Sequence, residues 1–251
     1  MGWDTLITSG SVTATERDIL VAMSENEGNM DAIQSYDSEV LTAGAMQKTV
    51  NPQGAGELPI QVYEFQQEHP ALYQSLFADC GWEVKDEGGK KYLYYDGKTG
   101  SELKQILREG FDQAAFESKK KISSKPLAAI ANAIVTDEYK AKQAKDFVQR
   151  LRTANSLAPA GYAAHKISDY IRSNLGKAVV LDHHVNRPGY VERDFGAALD
   201  TFFSRNPTVS RDPGTWGTQH SSHESSILDI YGNSRVMTDA GARYSSLKAK
   251  L

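Results

Sequence analysis

A glutamate, an aspartate and a threonine follow one another in a polar stretch near the start of the sequence. Glu27 ends a pattern of apolar residues at helical spacing, and Asp37 and Thr42 come 10 and 15 residues after it. A carboxyl group that is partly buried at a helix end stays protonated near neutral pH, because burial disfavours its charged form. Cleavage of a glycosidic bond needs such an acid, and a second polar group across the sugar ring that places water or stabilises positive charge. The pattern therefore favours Glu27 as the acid on one side of the sugar ring, with Asp37 and Thr42 on the other side of the ring.

A helix must position the acid. Thr13 or Thr15 can cap its start, and acidic residues follow in its first turn, where the helix dipole favours negative charge. Gly28, directly after Glu27, is typical of a helix end.

Two hairpins are predicted from their turn residues. The first lies at residues 36–44 and, folded back on the helix, would bring Asp37 and Thr42 to face Glu27. The second joins residues 82–84 to residues 92–95 through a glycine-containing turn.

The rest of the chain has mostly helical periodicity, with a break at His69-Pro70 and a nearly apolar helix at 127–135. Further helices are expected near residues 160–175, 195–203 and 222–231. The predicted fold is mainly α (α+β), with a small β-hairpin element flanking an active-site cleft. Residues 1–251 would form one catalytic domain, or two lobes around that cleft, as the C-terminal part of a longer protein.

Three short motifs resemble the phage-type lysozymes: Glu27-Gly28, Tyr36-Asp37 and Thr42-Ala43-Gly44. In that family the glutamate is the general acid, and the aspartate and threonine serve the water side. Here the tyrosine and aspartate are adjacent, whereas the family has one residue between them.

The same locus is similar to two related groups of enzymes. Gly44-Ala45-Met46-Gln47 resembles the Gly-Leu-Met-Gln of lytic transglycosylases and goose-type lysozymes, and Glu25-Asn26 resembles the Glu-Asn of chitosanases. These families share the lysozyme-like superfamily core. Glu25 thus competes with Glu27 for the role of acid. Glu27 is preferred, because the following glycine and the spacing to Thr42 both fit the phage-type pattern.

The resemblance implies a lysozyme-like helical domain that acts as a muramidase on peptidoglycan glycan strands. It assigns catalysis to Glu27, Asp37 and Thr42. The candidate substrate-binding residues at this locus are Glu25, Tyr36 and Gln47.

A second unusual run, at residues 181–189, adds two candidate substrate-binding residues. His184 could contact substrate from the cleft floor, and Arg187 could meet the carboxylates of the peptide stem or lactyl group. The alternative is structural, with the histidines capping or pairing in a polar corner. His220 and His223 are spaced for zinc, but they have no clear third ligand, so we expect neither metal nor cofactor.

Charge and composition exclude other classes. The net charge of −4 gives no basic field for nucleic acid, and the single cysteine, Cys80, allows no internal disulfide. No apolar run approaches the ~18 residues of a membrane span, so we expect no membrane insertion. The amino terminus has no secretion signal pattern.

Two settings remain open, a phage tail lysozyme or an antibacterial effector such as those of type VI secretion. Such a protein is secreted, or delivered to the bacterial periplasm by another route, and an effector would have a cognate immunity protein as a partner.

Two rival functions remain open. One is a chitosanase-like hydrolase of cationic polysaccharide, and the other is a glycan-binding domain of lysozyme-like fold without turnover. Digestion of chitosan and of cell walls in parallel distinguishes a chitosanase-like hydrolase from a muramidase. Capture of glycan without formation of product would support a glycan-binding domain.

We predict that hydrolysis of peptidoglycan survives excess chelator, since a carboxylate mechanism needs no metal. Turbidity of a cell-wall suspension with and without EDTA measures this. Loss of clearing that zinc or calcium restores would contradict the prediction and favour the histidines at 220 and 223.

Overall fold

A computed structural model describes residues 2–27, 29–109, 118 and 124–251 of the chain, with only the backbone of residues 25–27. The described part is mainly helical, with a few short antiparallel strands. The helices are α1 (Trp3–Thr8), α2 (Ala14–Glu27), α3 (Glu57–Glu68), α4 (Pro70–Leu76), α5 (Gly100–Leu107), α6 (Lys125–Ile134), α7 (Asp137–Ser156), α8 (Ile167–Tyr170), α9 (Asn174–Asn186), α10 (Val191–Arg205), α11 (His220–Ser234) and α12 (Ala240–Lys248). The strands are β1 (Ile33–Gln34), β2 (Leu41–Ala43), β3 (Lys48–Val50), β4 (Trp82–Glu87) and β5 (Lys90–Tyr95). The predicted mainly α (α+β) class is confirmed.

The strands form two antiparallel sheets. In the first sheet β2 lies between β1 and β3, and Thr42 pairs with Gln34 on one side and Thr49 on the other. The second sheet is the hairpin of β4 and β5. Gly88 and Gly89 join its strands with φ of 63° and 87°, the two positive values of a type I′ turn.

The helix α2 begins with a capping box. The Thr13 Oγ1 accepts a hydrogen bond from the Glu16 backbone N–H at 3.1 Å, and the Glu16 carboxylate accepts one from the Thr13 N–H at 2.8 Å. Two backbone N–H groups that the helix itself cannot satisfy are thereby paired. Thr13 is therefore the cap, and not Thr15.

The chain divides into two compact units. Unit 1 consists of Met1–Thr5 and Glu27–Lys145, and unit 2 consists of Leu6–Asn26 and Asp146–Leu251. A single domain or two lobes around a cleft both stay predictions.

Unit 1 has an apolar core built around aromatic rings. The Phe65 ring lies 4.9 Å from the Tyr139 ring and 6.2 Å from the Phe77 ring, measured between centroids. The indole N–H of Trp82 donates to the Pro126 carbonyl at 3.1 Å, which satisfies the one polar group of this fully buried side chain. Leu41, Ala43 and Val50 belong to the same core and attach the first sheet to it.

Unit 2 has an aromatic core and a buried ion network. The Phe195 and Tyr231 rings pack edge to face at 5.0 Å. Beside them Asp182, fully buried, lies 2.7 Å from the Arg235 guanidinium and accepts a hydrogen bond from Arg243. A buried carboxylate requires such partners, because burial without them would be strongly unfavourable.

Several sequence-based boundaries are confirmed, and others are wrong. The break at His69-Pro70, the hairpin at residues 82–95 and the buried helix near 127–135 are all present. The helix expected at 160–175 is wrong. Before residue 174 only Ile167–Tyr170 is helical there, and a separate helix, α9, begins at Asn174 behind Ser173, whose hydroxyl accepts a hydrogen bond from the Gly176 N–H.

Within the described residues, no helix is both long enough and apolar enough to cross a membrane.

We predict that Arg235→Met lowers the free energy of unfolding by about 3–5 kcal/mol, because it leaves the buried Asp182 carboxylate with one cation fewer. Chemical denaturation followed by circular dichroism measures the loss. Lys248→Met is the control. It removes a half-exposed ion pair with Asp229 and should change stability by at most about 1 kcal/mol. Equal stability of the Arg235 variant and the wild type would show that the buried pair contributes little.

Candidate active site

The helix α2 places the two candidate acids at its last turn. The backbone is helical up to Glu27. The side chains of Glu25 and Glu27, and all of Gly28, lie outside the described residues. The choice between the two glutamates, and the separation of Glu27 from Asp37, therefore stay predictions.

Asp37 lies in the exposed turn between β1 and β2. Its Oδ1 accepts a hydrogen bond from the Glu39 backbone N–H at 2.9 Å. This bond to a residue two positions further on fixes the side chain against its own turn. The second oxygen of an aspartate in such a turn can still contact a ligand.

Two cations near the end of α5 bind the backbone of this turn. The Arg108 guanidinium donates to the Asp37 carbonyl at 2.9 Å, and the Lys104 ammonium donates to the Ser38 carbonyl at 2.7 Å. Burial lowers the pKa of both cations, and the negative charge of Asp37 acts in the opposite direction. Their bonds to carbonyl groups hold the turn without occupying the carboxylate that it carries.

Lys104 and Arg108 were not predicted from the sequence. They lie 66 and 71 residues from their partners, and carbonyl groups as partners leave no pattern of residue types. The one sequence feature that could have indicated them is a lysine and an arginine four residues apart, near the end of a short amphipathic helix.

Thr42 lies in the middle strand β2. Its side chain is 4% exposed, and its backbone is paired on both sides. Tyr36 is half-buried just before the Asp37 turn. Tyr36 and Asp37 thus lie between β1 and β2, and Thr42 lies in β2, but a site that the three side chains share stays a prediction.

The turn between β2 and β3 has an unusual backbone. Gly44, Met46 and Gln47 have φ values of 72°, 63° and 46°, so two consecutive residues with side chains adopt the left-handed region. Such a conformation costs on the order of 1–3 kcal/mol for each residue, and it persists only where surrounding contacts impose it. Met46 is buried, whereas Gln47 is exposed at the surface of unit 1.

His184 and Arg187 lie at the C-terminal end of α9 in unit 2. The Arg150 guanidinium donates to His184 Nδ1 at 3.1 Å and to its carbonyl at 3.0 Å, and Arg187 is exposed. The neighbouring His183 is fully buried, with Nδ1 2.8 Å from the Tyr231 hydroxyl. Both histidines thus have partners inside unit 2, as the structural alternative implies. Glu25, His184 and Arg187 belong to unit 2, and a site that they share with the unit 1 residues stays a prediction.

The candidate zinc histidines have other partners. His220 is buried, with Nε2 3.0 Å from the Asp169 carbonyl, and the His223 ring packs on the Trp216 ring at 5.1 Å. Among the described residues, no three histidine, cysteine or carboxylate side chains are grouped to hold a metal ion.

Comparisons with protein families, with curated proteins and with solved structures give no match to this chain.

We predict that His183 makes unit 2 sensitive to acid. Burial, helped by the nearby Arg235 charge, lowers the pKa of His183 to about 4 from the ordinary 6.5. The unfolded chain therefore binds a proton between pH 6.5 and 4 that the folded chain does not, so stability falls as the pH falls through this window. The loss between pH 7 and pH 5 should be about 1–2 kcal/mol.

Thermal melts of wild type and His183→Gln at pH 7 and pH 5 measure this contribution. The variant should be less stable at pH 7 but lose less on acidification. His69→Gln, which removes a partly exposed histidine of unit 1, is the control. An unchanged loss in His183→Gln would mean that other groups cause the acid sensitivity.

Proposed function

We propose that this chain is a peptidoglycan hydrolase of the muramidase type, with a lysozyme-like active site. One observation carries the proposal: α2 ends at Glu27, and the chain then forms a three-stranded antiparallel sheet with Asp37 in its first turn and Thr42 in its middle strand. The motif resemblance required a helix end followed by a hairpin in this order.

In the proposed reaction, Glu27 donates a proton to the glycosidic oxygen as the bond to the sugar breaks. Asp37 acts from the other face of the ring, where it activates water or stabilises the positive charge that develops on the sugar. Carboxyl groups about 6.5–9.5 Å apart would leave room for water and invert the configuration, whereas about 5–5.5 Å would indicate retention. We favour inversion, because the hairpin spacing resembles that of the phage-type enzymes. The role of Thr42 on the water side, which the resemblance implies, stays a prediction, and Thr42 is nearly fully buried in β2.

Charge near the Asp37 turn is balanced and gives no preference for a cationic glycan. Lys104 and Arg108 lie beside Asp37 and Glu39 and balance their charge. A site for chitosan would be expected to have an uncompensated acidic surface, because complementary charge directs the association of charged partners. Peptidoglycan, which carries carboxylates on its stems, is therefore the preferred substrate.

The remaining substrate-binding residues extend this proposal. Gln47, exposed on its constrained turn, and Tyr36 would contact the sugar chain, whereas contact of the unit 2 residue Arg187 with stem carboxylates stays a prediction. The proposed setting is a phage tail or an antibacterial effector that acts in the periplasm, where a cognate immunity protein would bind the effector.

We predict that Glu27→Gln lowers the rate of peptidoglycan solubilisation by about 10²–10⁴-fold, because the amide keeps the size of the side chain but cannot donate the proton. Release of soluble fragments from purified cell walls measures this. Circular dichroism should show an unchanged fold.

Glu25→Gln is the matched comparison, two residues away on the same helix. As a candidate substrate-binding residue, Glu25 should lose far less activity on this change than Glu27 does. Full activity of Glu27→Gln with loss in Glu25→Gln would reverse the assignment. Activity of the wild type on chitosan alone would favour the chitosanase-like alternative, and binding without any product would favour a glycan-binding domain.

A further inference from the structure

A buried amide from α7 reaches the segment that carries the candidate site. The Gln143 side chain is 1% exposed. Its Oε1 accepts a hydrogen bond from the Ala45 backbone N–H at 2.8 Å, and its Nε2 donates to the carbonyls of Met30 at 3.2 Å and Ile134 at 3.0 Å. One side chain thus joins three parts of unit 1.

One of these three parts belongs to the candidate site, and a second follows the proposed acid closely in the sequence. Met30 lies three residues after Glu27, and Ala45 lies in the turn that ends at Gln47. The amide therefore links the segment after the proposed acid to the turn with the left-handed backbone. Its partners lie 113 and 98 residues away in the sequence.

The turn and the amide fit each other closely. A Cβ atom at Gly44 would lie 2.3 Å from the Gln143 Oε1, so a glycine is required there both for space and for its φ of 72°. The contact explains how Met46 and Gln47 are held in an unfavourable backbone conformation, because the Ala45 N–H directly before them is fixed by a buried acceptor.

We propose that Gln143 is a positioning residue of the hydrolytic site, a role that rests on the proposed function. It fixes the Gly44–Gln47 turn relative to Met30, and so holds Gln47 in the place from which it would contact the sugar chain. Gln143 contacts backbone groups and acts through the residues that they carry.

The chemistry of the position requires an amide. Ala45 needs an acceptor, and the two carbonyls need donors, and glutamine supplies both on one planar group. Methionine has a similar length but neither function. A glutamate keeps the acceptor, but its ionised form places negative charge against two carbonyl oxygens, and only its protonated form regains a donor.

The experiment compares Gln143→Met and Gln143→Glu with wild type on purified peptidoglycan strands. We expect Gln143→Met to lower kcat about 10–100-fold with KM changed less than about threefold, because small misplacements of reacting groups mainly slow the chemical step. Relative to wild type at each pH, Gln143→Glu should recover activity as the pH falls and its carboxyl group becomes protonated.

Tyr73→Phe is the control for a general loss of stability. The buried Tyr73 hydroxyl accepts a hydrogen bond from the Val84 N–H at 2.9 Å, so the variant also loses one buried hydrogen bond in unit 1. It should lower Tm, by less than Gln143→Met because it loses one hydrogen bond rather than three, but keep kcat. Hydrogen exchange at the Ala45 N–H should become faster in Gln143→Met and stay slow in Tyr73→Phe.

The outcomes separate the two proposals. If the wild type turns over peptidoglycan and Gln143→Met has the same kcat, the positioning role is wrong and the proposed function is unaffected. An equal loss of kcat in Tyr73→Phe would also contradict the positioning role alone. Absence of turnover in the wild type would overturn the proposed function, and the positioning role would fall with it.

Discussion

The first sheet depends on hydrogen bonds from side chains that lie outside it. Its strands have two or three residues each, and so few ladder bonds cannot by themselves hold a hairpin in water. Gln143 binds the second turn of the sheet, and Arg108 and Lys104 bind the first. Leu41, Ala43 and Val50 attach the strands to the apolar core. The shape of the candidate site is thereby set by helices that are distant in the sequence.

This arrangement has a consequence for catalysis. A site on short strands would move with them, whereas catalytic groups must be held to a fraction of an ångström. Cationic and amide side chains that bind backbone carbonyls and N–H groups restrain the turns, and under the proposed function they would leave Asp37 and Gln47 to substrate. Unit 2 uses its polar groups differently, since Asp182, Arg235 and His183 are enclosed in its core and support its own packing.

Local signals were sufficient to predict much of the fold. The capping box at Thr13, the proline after His69 and the paired glycines at 88–89 each act within a few residues, so the sequence pattern reveals them. The region at 160–175 was predicted incorrectly because its apolar spacing suits a helix, whereas Ser173 and Glu224 together start a new helix there. The Glu224 carboxylate accepts hydrogen bonds from the Arg172 and Ser173 N–H groups, across about fifty residues.

The candidate site, like the fold, has one part that local sequence predicts and another part that depends on residues distant in the sequence. The order of Asp37, Thr42 and the Gly44–Gln47 turn on one sheet follows from local sequence. The residues that hold the turns could not be predicted, because Arg108 and Gln143 recognise backbone atoms, and any residue type supplies those. The near-complete burial of Thr42 follows from the central position of β2 between β1 and β3, which the prediction of a single hairpin did not include.

The central claim is that a carboxylate pair cleaves peptidoglycan with water as the acceptor. Mass spectrometry of the soluble products from purified peptidoglycan tests it most directly. Asp37 opposite the acid predicts fragments that end in reducing N-acetylmuramic acid. Fragments that end in 1,6-anhydro-muramic acid would show that no second carboxylate delivers water, and intact glycan strands after prolonged digestion would contradict the claim altogether.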